Sequence, residues 1–177
     1  MHTLLDNGRS DLIFEMAAKE DFPSWGNMLK YGTGTLFEDW ECRGSGLHSS
    51  YLYIGSWFIE ALGGIKRPAA GYREFVIEPW ITEKGPEQVR SHYNSMYGNI
   101  VSNWRVDSGV LYLEVVIPAN TTATLKLNNV LPGSVTEGEC PWRDAEGVSL
   151  DFEKKDKISL TLQPGTYYFS ALMKVNK

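Results

Sequence analysis

One short stretch concentrates the chemistry: Thr35-Leu36-Phe37-Glu38-Asp39-Trp40, bounded by Gly32-Thr33-Gly34 before it and Gly44-Ser45-Gly46 after. It sets a carboxylate between two aromatic rings in a loop. Aromatic faces suit the apolar faces of a sugar ring. A carboxylate beside them can activate water or accept hydrogen bonds from hydroxyls. The competing reading makes Glu38 an acid of a helix's first turn, where the helix dipole favours negative charge. His48 follows ten residues later, and Trp25 precedes the loop.

The elements that must hold this loop have two different periods. Asp6, Asn7 or Ser10 is expected to cap a helix bearing Leu12, Ile13, Met16 and Ala17 on one face. Phe22-Pro23-Ser24 should end it, with Ser24 capping a short turn through Trp25 to Leu29. A second helix is expected from Ser49 or Ser50, with Tyr51, Ile54, Phe58, Ala61, Leu62 and Ile65 at helical spacing. Gly63-Gly64 stops it and Pro68 bars continuation. Helices this few, with Trp25, Phe37, Trp40 and Trp57 among them, cannot enclose a core of their own. They read as the end of a larger helical domain.

From residue 70 the period is two. Leu111, Leu113, Val115 and Ile117 alternate with polar or outward positions. So do Ala123, Leu125 and Leu127; Val148, Leu150 and Phe152; Ile158, Leu160 and Leu162; and, after a Pro164-Gly165 turn, Tyr167, Phe169 and Ala171. Asp107-Ser108-Gly109 is a hairpin signal. Regular turns without helical patches predict an antiparallel β-sandwich. Tyr93, Tyr97 and Trp104 either meet glycan or pack in that sandwich. The fold class is therefore α+β, in two parts: helices over 1–66 and sandwich over 67–177.

Composition excludes several roles. A net charge of −5 offers no basic surface to displace counterions from nucleic acid or anionic membrane. No apolar run approaches the ~18 residues of a membrane span. The first residues lack the basic and apolar regions of a signal peptide, so the chain is either cytoplasmic or a piece of a longer one. The compartment is left open. Cys42 and Cys140 read as thiols, and no Cys or His spacing suits a metal; none is expected, nor any cofactor.

The order of pieces then becomes specific. Asp6-Asn7-Gly8-Arg9-Ser10-Asp11-Leu12, Phe22-Pro23-Ser24-Trp25-Gly26 and Gly34-Thr35-Leu36-Phe37-Glu38-Asp39-Trp40 come first, then His48 ahead of Trp57. Gly71-Tyr72-Arg73-Glu74-Phe75-Val76-Ile77-Glu78-Pro79, Tyr97 to Trp104 and Ile117 to Ala123 follow. This series resembles the closing part of bacterial α-L-rhamnosidases. The resemblance implies the last helices of a six-hairpin α/α barrel followed by the family's C-terminal β-sandwich. It implies hydrolysis of terminal α-L-rhamnosides with inversion, a rhamnose-containing glycan or glycoside as substrate, and the remainder of the catalytic domain as partner. Glu38 matches the family's base, while the general acid belongs to an earlier barrel loop, so the isolated chain is expected to be silent. His48, Trp40 and Trp25 match residues lining the sugar pocket. Two positions depart from the family's Trp-Glu-Arg-Trp motif: Phe37 replaces the first tryptophan, and Asp39 reverses the charge of the arginine. The alternative from another class is a non-catalytic carbohydrate-binding or scaffolding module carried by the sandwich.

Overall fold

In the computed structural model, residues 2–31, 34–46, 48–66 and 70–174 are described. Gly32 and Thr33, expected at the start of the loop, and Pro68, expected to bar the helix, lie outside them. The chain divides into two compact units, Met1–Phe58 and Ile59–Lys177.

The first unit is short helices and loop: α1 (His2–Asp6), α2 (Ser10–Ala18), α3 (Trp25–Leu29) and α4 (Tyr53–Trp57). Arg9 occupies the N-cap of α2 and makes no side-chain cap; Ser10 is already helical. The expected cap is thus absent. Asn7 instead closes the end of α1, its Nδ2 donating to the Thr3 carbonyl at 2.7 Å. Arg9 reaches forward in a two-point pair with Asp11, both contacts 3.0 Å. The apolar face of α2 is covered only in part: Ile13 is fully buried while Met16 is 46% exposed. Ser24 does cap α3, accepting from the Asn27 N–H at 3.0 Å.

A π-helical turn, Phe58–Leu62, follows α4 directly and carries the chain from the first unit into the second. The helix expected to reach Ile65 stops short of it. Gly64 takes φ 73°, and a Cβ there would lie 2.2 Å from the Pro79 nitrogen, so only glycine fits the reversal. Ile65 consequently falls in a strand, β1 (Ile65–Lys66), paired with β2 (Glu74–Ile77).

Nine further strands complete the sandwich: β3 (Gln88–Ser95), β4 (Gly98–Asp107), β5 (Val110–Ile117), β6 (Thr122–Asn128), β7 (Thr136–Glu137), β8 (Cys140–Pro141), β9 (Val148–Lys154), β10 (Lys157–Leu162) and β11 (Gly165–Leu172). One sheet runs β1-β2-β6-β10-β9 and the other β3-β4-β5-β11-β7-β8. All pairings are antiparallel except β2 with β6. The buried core comprises the alternating residues read from the sequence, including Leu111, Leu113, Val115, Ile117, Leu125, Ile158, Leu160 and Phe169. Ser108 (φ 51°) and Gly109 (φ 79°) form the two-residue loop between β4 and β5. Positive φ at both positions matches the twist of the flanking strands. Trp104 is a core residue, its Nε1 donating to the Leu62 carbonyl at 2.8 Å. Tyr93 instead stacks on Tyr72 at 4.4 Å and stays partly exposed, as does Tyr97.

β9 departs from its expected pattern. Leu150 and Phe152 are 50% and 42% exposed. The strand lies at a sheet edge, and a bulge at the Ser159/Leu160 step leaves Asp151 unpaired between them. Asp151 accepts there from the Ser159 hydroxyl at 2.8 Å. An extra residue breaks the two-residue alternation that periodicity assumes.

Glu78 ties three strands of one sheet together, bonding Lys66 Nζ at 3.0 Å and Asn128 Nδ2 at 3.1 Å. Burial pushes its carboxyl pKa up, but the bonds from Lys66 and Asn128 and the nearby positive charge outweigh that and hold it below its ordinary value. A lowered folded-state pKa means this stabilisation is complete above pH 4.5, the unfolded-chain value, and fades as pH drops through the folded one. Glu78→Gln should therefore flatten the acid limb of stability against pH, removing about 1 kcal/mol at neutral pH. Urea unfolding midpoints from pH 3 to 7 measure this, and an unchanged acid limb would rule the network out as its source.

Among the described residues no helix is long and apolar enough to cross a membrane.

Candidate active-site loop

The loop from Thr35 to His48 is closed on itself by backbone bonds. Glu38 N–H donates to the Ser45 carbonyl, and His48 N–H to the Leu36 carbonyl, both at 3.0 Å. The Thr35 hydroxyl donates to the Gly46 carbonyl. These ties place Glu38 and His48 on opposite arms of one narrow loop. Phe37 is its anchor, 9% exposed, meeting Tyr31 edge-on at 6.1 Å. Although read as an aromatic wall, it is a packing residue, because its ring alternates inward where Glu38 turns out.

Glu38 is exposed, yet its carboxylate is aimed. Oε2 accepts from the Ser45 N–H at 3.2 Å, which leaves Oε1 without a partner among the described residues. One oxygen held and one open is the arrangement a base needs to take a proton from water. Gly44 makes it possible. It has φ 71°, and a Cβ there would sit 2.8 Å from Glu38 Oε2.

Asp39, the charge-reversed position, does not face outward alone. Its Oδ1 accepts from the Arg43 N–H at 3.0 Å, and its carboxylate pairs with the Arg43 guanidinium at 3.7 Å. Glu41 lies 3.6 Å from the same guanidinium. The loop thus carries its own arginine four residues after the acid, and sequence reading passed over it. Cys42, between these carboxylates, has its thiol pKa raised by burial and then by Asp39 and Glu41, so it is a poor nucleophile. Cys140 is likewise a free thiol.

Trp25 and Trp40 meet edge-to-face at 5.3 Å. Tyr51 joins them, 4.2 Å from Trp40 and 6.4 Å from Trp25. Trp25 Nε1 donates to the Tyr51 carbonyl at 3.2 Å. Each ring is only half-buried, so this cluster is both a packed brace and an accessible apolar wall. Tyr51 was read only as a helix-face residue, and its one clue was closeness in sequence to His48. Among the described residues no group of three or more His, Cys, Asp or Glu side chains is placed to hold a metal ion.

Known proteins match most of the chain. The family model for the bacterial alpha-L-rhamnosidase 6 hairpin glycosidase domain matches residues 1–62, and that for the bacterial alpha-L-rhamnosidase C-terminal domain matches 64–139. The chain belongs to the bacterial α-L-rhamnosidase family. An α-L-rhamnosidase of Formosa agariphila is 30% identical over 177 residues, covering 94% of this chain. One of Streptomyces avermitilis is 31% identical over 133 residues, covering 68%. The chain spans only 19% and 13% of those two relatives. Two solved structures share the fold. The Streptomyces avermitilis α-L-rhamnosidase complexed with L-rhamnose has TM-score 0.77 at 24% identity, over 94% of this chain and 16% of that one. The α-L-rhamnosidase from Dictyoglumus thermophilum has TM-score 0.77 at 21% identity, over 96% of this chain and 20% of that one.

Within this rhamnosidase part, Gly44→Ala tests how far the loop positions its carboxylate. The left-handed backbone alone should cost about 1–2 kcal/mol locally, and the new methyl must push Glu38 Oε2 away. In the intact enzyme kcat should fall by about tenfold or more, with KM changing little. Equal kcat in the two forms would show that Gly44 has no part in placing Glu38.

Proposed function

We propose that this chain supplies the final barrel helices and the C-terminal sandwich of an α-L-rhamnosidase that hydrolyses terminal α-L-rhamnosides with inversion, and that Glu38 is its general base. The observation that carries the reading is Glu38 itself: one carboxylate oxygen oriented by the Ser45 N–H, the other without a partner among the described residues, in a loop beside half-buried aromatic rings. Water attacks the anomeric carbon as its proton passes to Glu38. The bond to the leaving oxygen breaks on the opposite face, and that oxygen takes a proton from a carboxylic acid elsewhere in the whole protein. Inversion sets the two carboxyls about 6.5–9.5 Å apart, leaving room for the water.

Supporting roles follow. Trp40 and Trp25 offer apolar ring edges to the sugar, and His48 offers a hydrogen-bonding group from the facing arm. Apolar side chains left exposed in the first unit, among them Phe22, Leu29 and Leu52, are covered in this reading by the remainder of the catalytic domain. The junction between the domains belongs between residues 58 and 67. The relatives' name and the L-rhamnose in the Streptomyces avermitilis complex support the choice of sugar. Proton NMR of a fresh digest of an aryl α-L-rhamnoside by the intact protein tests the stereochemistry. β-L-rhamnose should appear first; initial α-L-rhamnose would mean a retaining enzyme and a nucleophile in place of a base.

A further inference from the structure

The outer face of the six-stranded sheet carries a feature that the hydrolytic site does not use. A groove of about 650 Å³ crosses β3, β4, β5 and β11, a volume within the range of small-ligand sites. Strand register decides what lines it. Arg90 stands opposite Asn103, Asn103 opposite Glu114, and Glu114 opposite Tyr168, so four side chains form one row perpendicular to the strands. In the next row Arg105 stands opposite Tyr112.

These residues are unequally engaged. Asn103 is locked in place: its Oδ1 accepts from the Ser91 N–H at 3.1 Å and its Nδ2 donates to Glu114 Oε2 at 2.8 Å. Arg105 lies over the Tyr112 ring at 4.2 Å and pairs with Asp107 at 3.3 Å, so that ring face and that charge are taken. Tyr168 is different: 58% exposed, with no ring or cation against it among the described residues. Arg90, at the other end of the row, has no ion-pair or hydrogen-bond partner among them.

We propose that this groove binds an oligosaccharide bearing a uronate, laid across the strands. Three strand spacings separate Arg90 from Tyr168, about 14 Å, so a single sugar ring cannot meet both. One ring stacks its C–H face on Tyr168. A second, further along, presents its carboxylate to the planar fork of Arg90, the geometry in which arginine binds carboxylates best. The pre-set Asn103–Glu114 pair between them accepts and donates to ring hydroxyls without further ordering. An apolar protein partner would leave Arg90 and Glu114 unmatched. A sugar chain gives a uronate carboxylate to Arg90 and ring hydroxyls to Glu114, whose own charge keeps further carboxylates away from the middle of the row.

The test uses the 177-residue chain, titrated calorimetrically with tetragalacturonate and with a tetrasaccharide alternating rhamnose and galacturonate. Saturable binding to at least one is expected, with monomeric galacturonate at least about tenfold weaker. Tyr168→Ala and Arg90→Ala should each weaken binding by about tenfold or more, and the carboxyl-reduced tetrasaccharide should behave as Arg90→Ala does. Both side chains are on the surface, and circular dichroism melts establish that the variants fold. Arg143→Ala, an exposed arginine outside the groove, should leave binding unchanged. Failure of both tetrasaccharides to bind, binding indifferent to the two variants, or equal weakening by Arg143→Ala would each overturn the proposal. None of these readouts involves Glu38, so the site stands or falls separately from the hydrolytic reading.

Discussion

Glu38→Gln in the intact enzyme should lower kcat on an aryl α-L-rhamnoside by about 10²–10⁴-fold, the usual contribution of a positioned acid or base. KM should move little, because an amide keeps the size of the side chain and the Ser45 N–H can still donate to its oxygen. The loss then lies in the transition state, where water must shed a proton as it attacks. An aryl leaving group sharpens the measurement. It needs little help from the acid, so the rate reports the base. A kcat within threefold of the parent would remove Glu38 from the proton transfer and leave it a binding residue. The same measurement bears on the loop as a whole, since Gly44→Ala should give a smaller loss of the same kind. A rise in KM with kcat unchanged would point instead to a sugar contact.

Trp104→Ala should be the most damaging single change in the sandwich. The indole is 3% exposed, packs in the main core and donates to the Leu62 carbonyl at 2.8 Å. Deleting it leaves a cavity and an orphaned acceptor, an expected loss of about 3–5 kcal/mol from the cavity with a further 1–3 kcal/mol for the carbonyl. That is a large share of the ~5–15 kcal/mol stability of an ordinary domain. Trp104→Phe separates the two contributions, because it keeps most of the ring volume and removes the donor. Urea denaturation should place Phe between the parent and Ala. A Phe variant as stable as the parent would mean that the hydrogen bond contributes nothing, and an Ala variant within 1 kcal/mol would deny Trp104 its place in the core.

The local order of the chain was legible because its signals are local. Alternation over Leu111 to Ile117 and Ala123 to Leu127 predicts strands, since a half-buried strand repeats every two residues. Ser24 caps α3 as its type and position suggest. Cases needing non-local information went otherwise. The cap expected of Asp6, Asn7 or Ser10 gave way to the turn that joins α1 and α2. Ile65 left the helix because the Pro79 backbone closes on Gly64. In β9 one extra residue moved Phe152 off the face that Leu150 shares with Leu160, and the edge position left Leu150 half exposed.

For the loop, residue types and spacing singled out Glu38 between Phe37 and Trp40, because a carboxylate among aromatics is a chemical statement before it is a spatial one. His48 and Trp25 entered only with the resemblance to the rhamnosidase family. Tertiary structure decided which oxygen of Glu38 is held, that Gly44 must be glycine, that Arg43 answers the Asp39 charge, and that Tyr51 completes the tryptophan pair. It also decided which strands are neighbours, and hence that Arg90 and Tyr168, seventy-eight positions apart (168 minus 90), share one row. Composition and period depend on neighbours along the chain. Aim, register and occupancy depend on neighbours across it, and those are set only when the backbone closes.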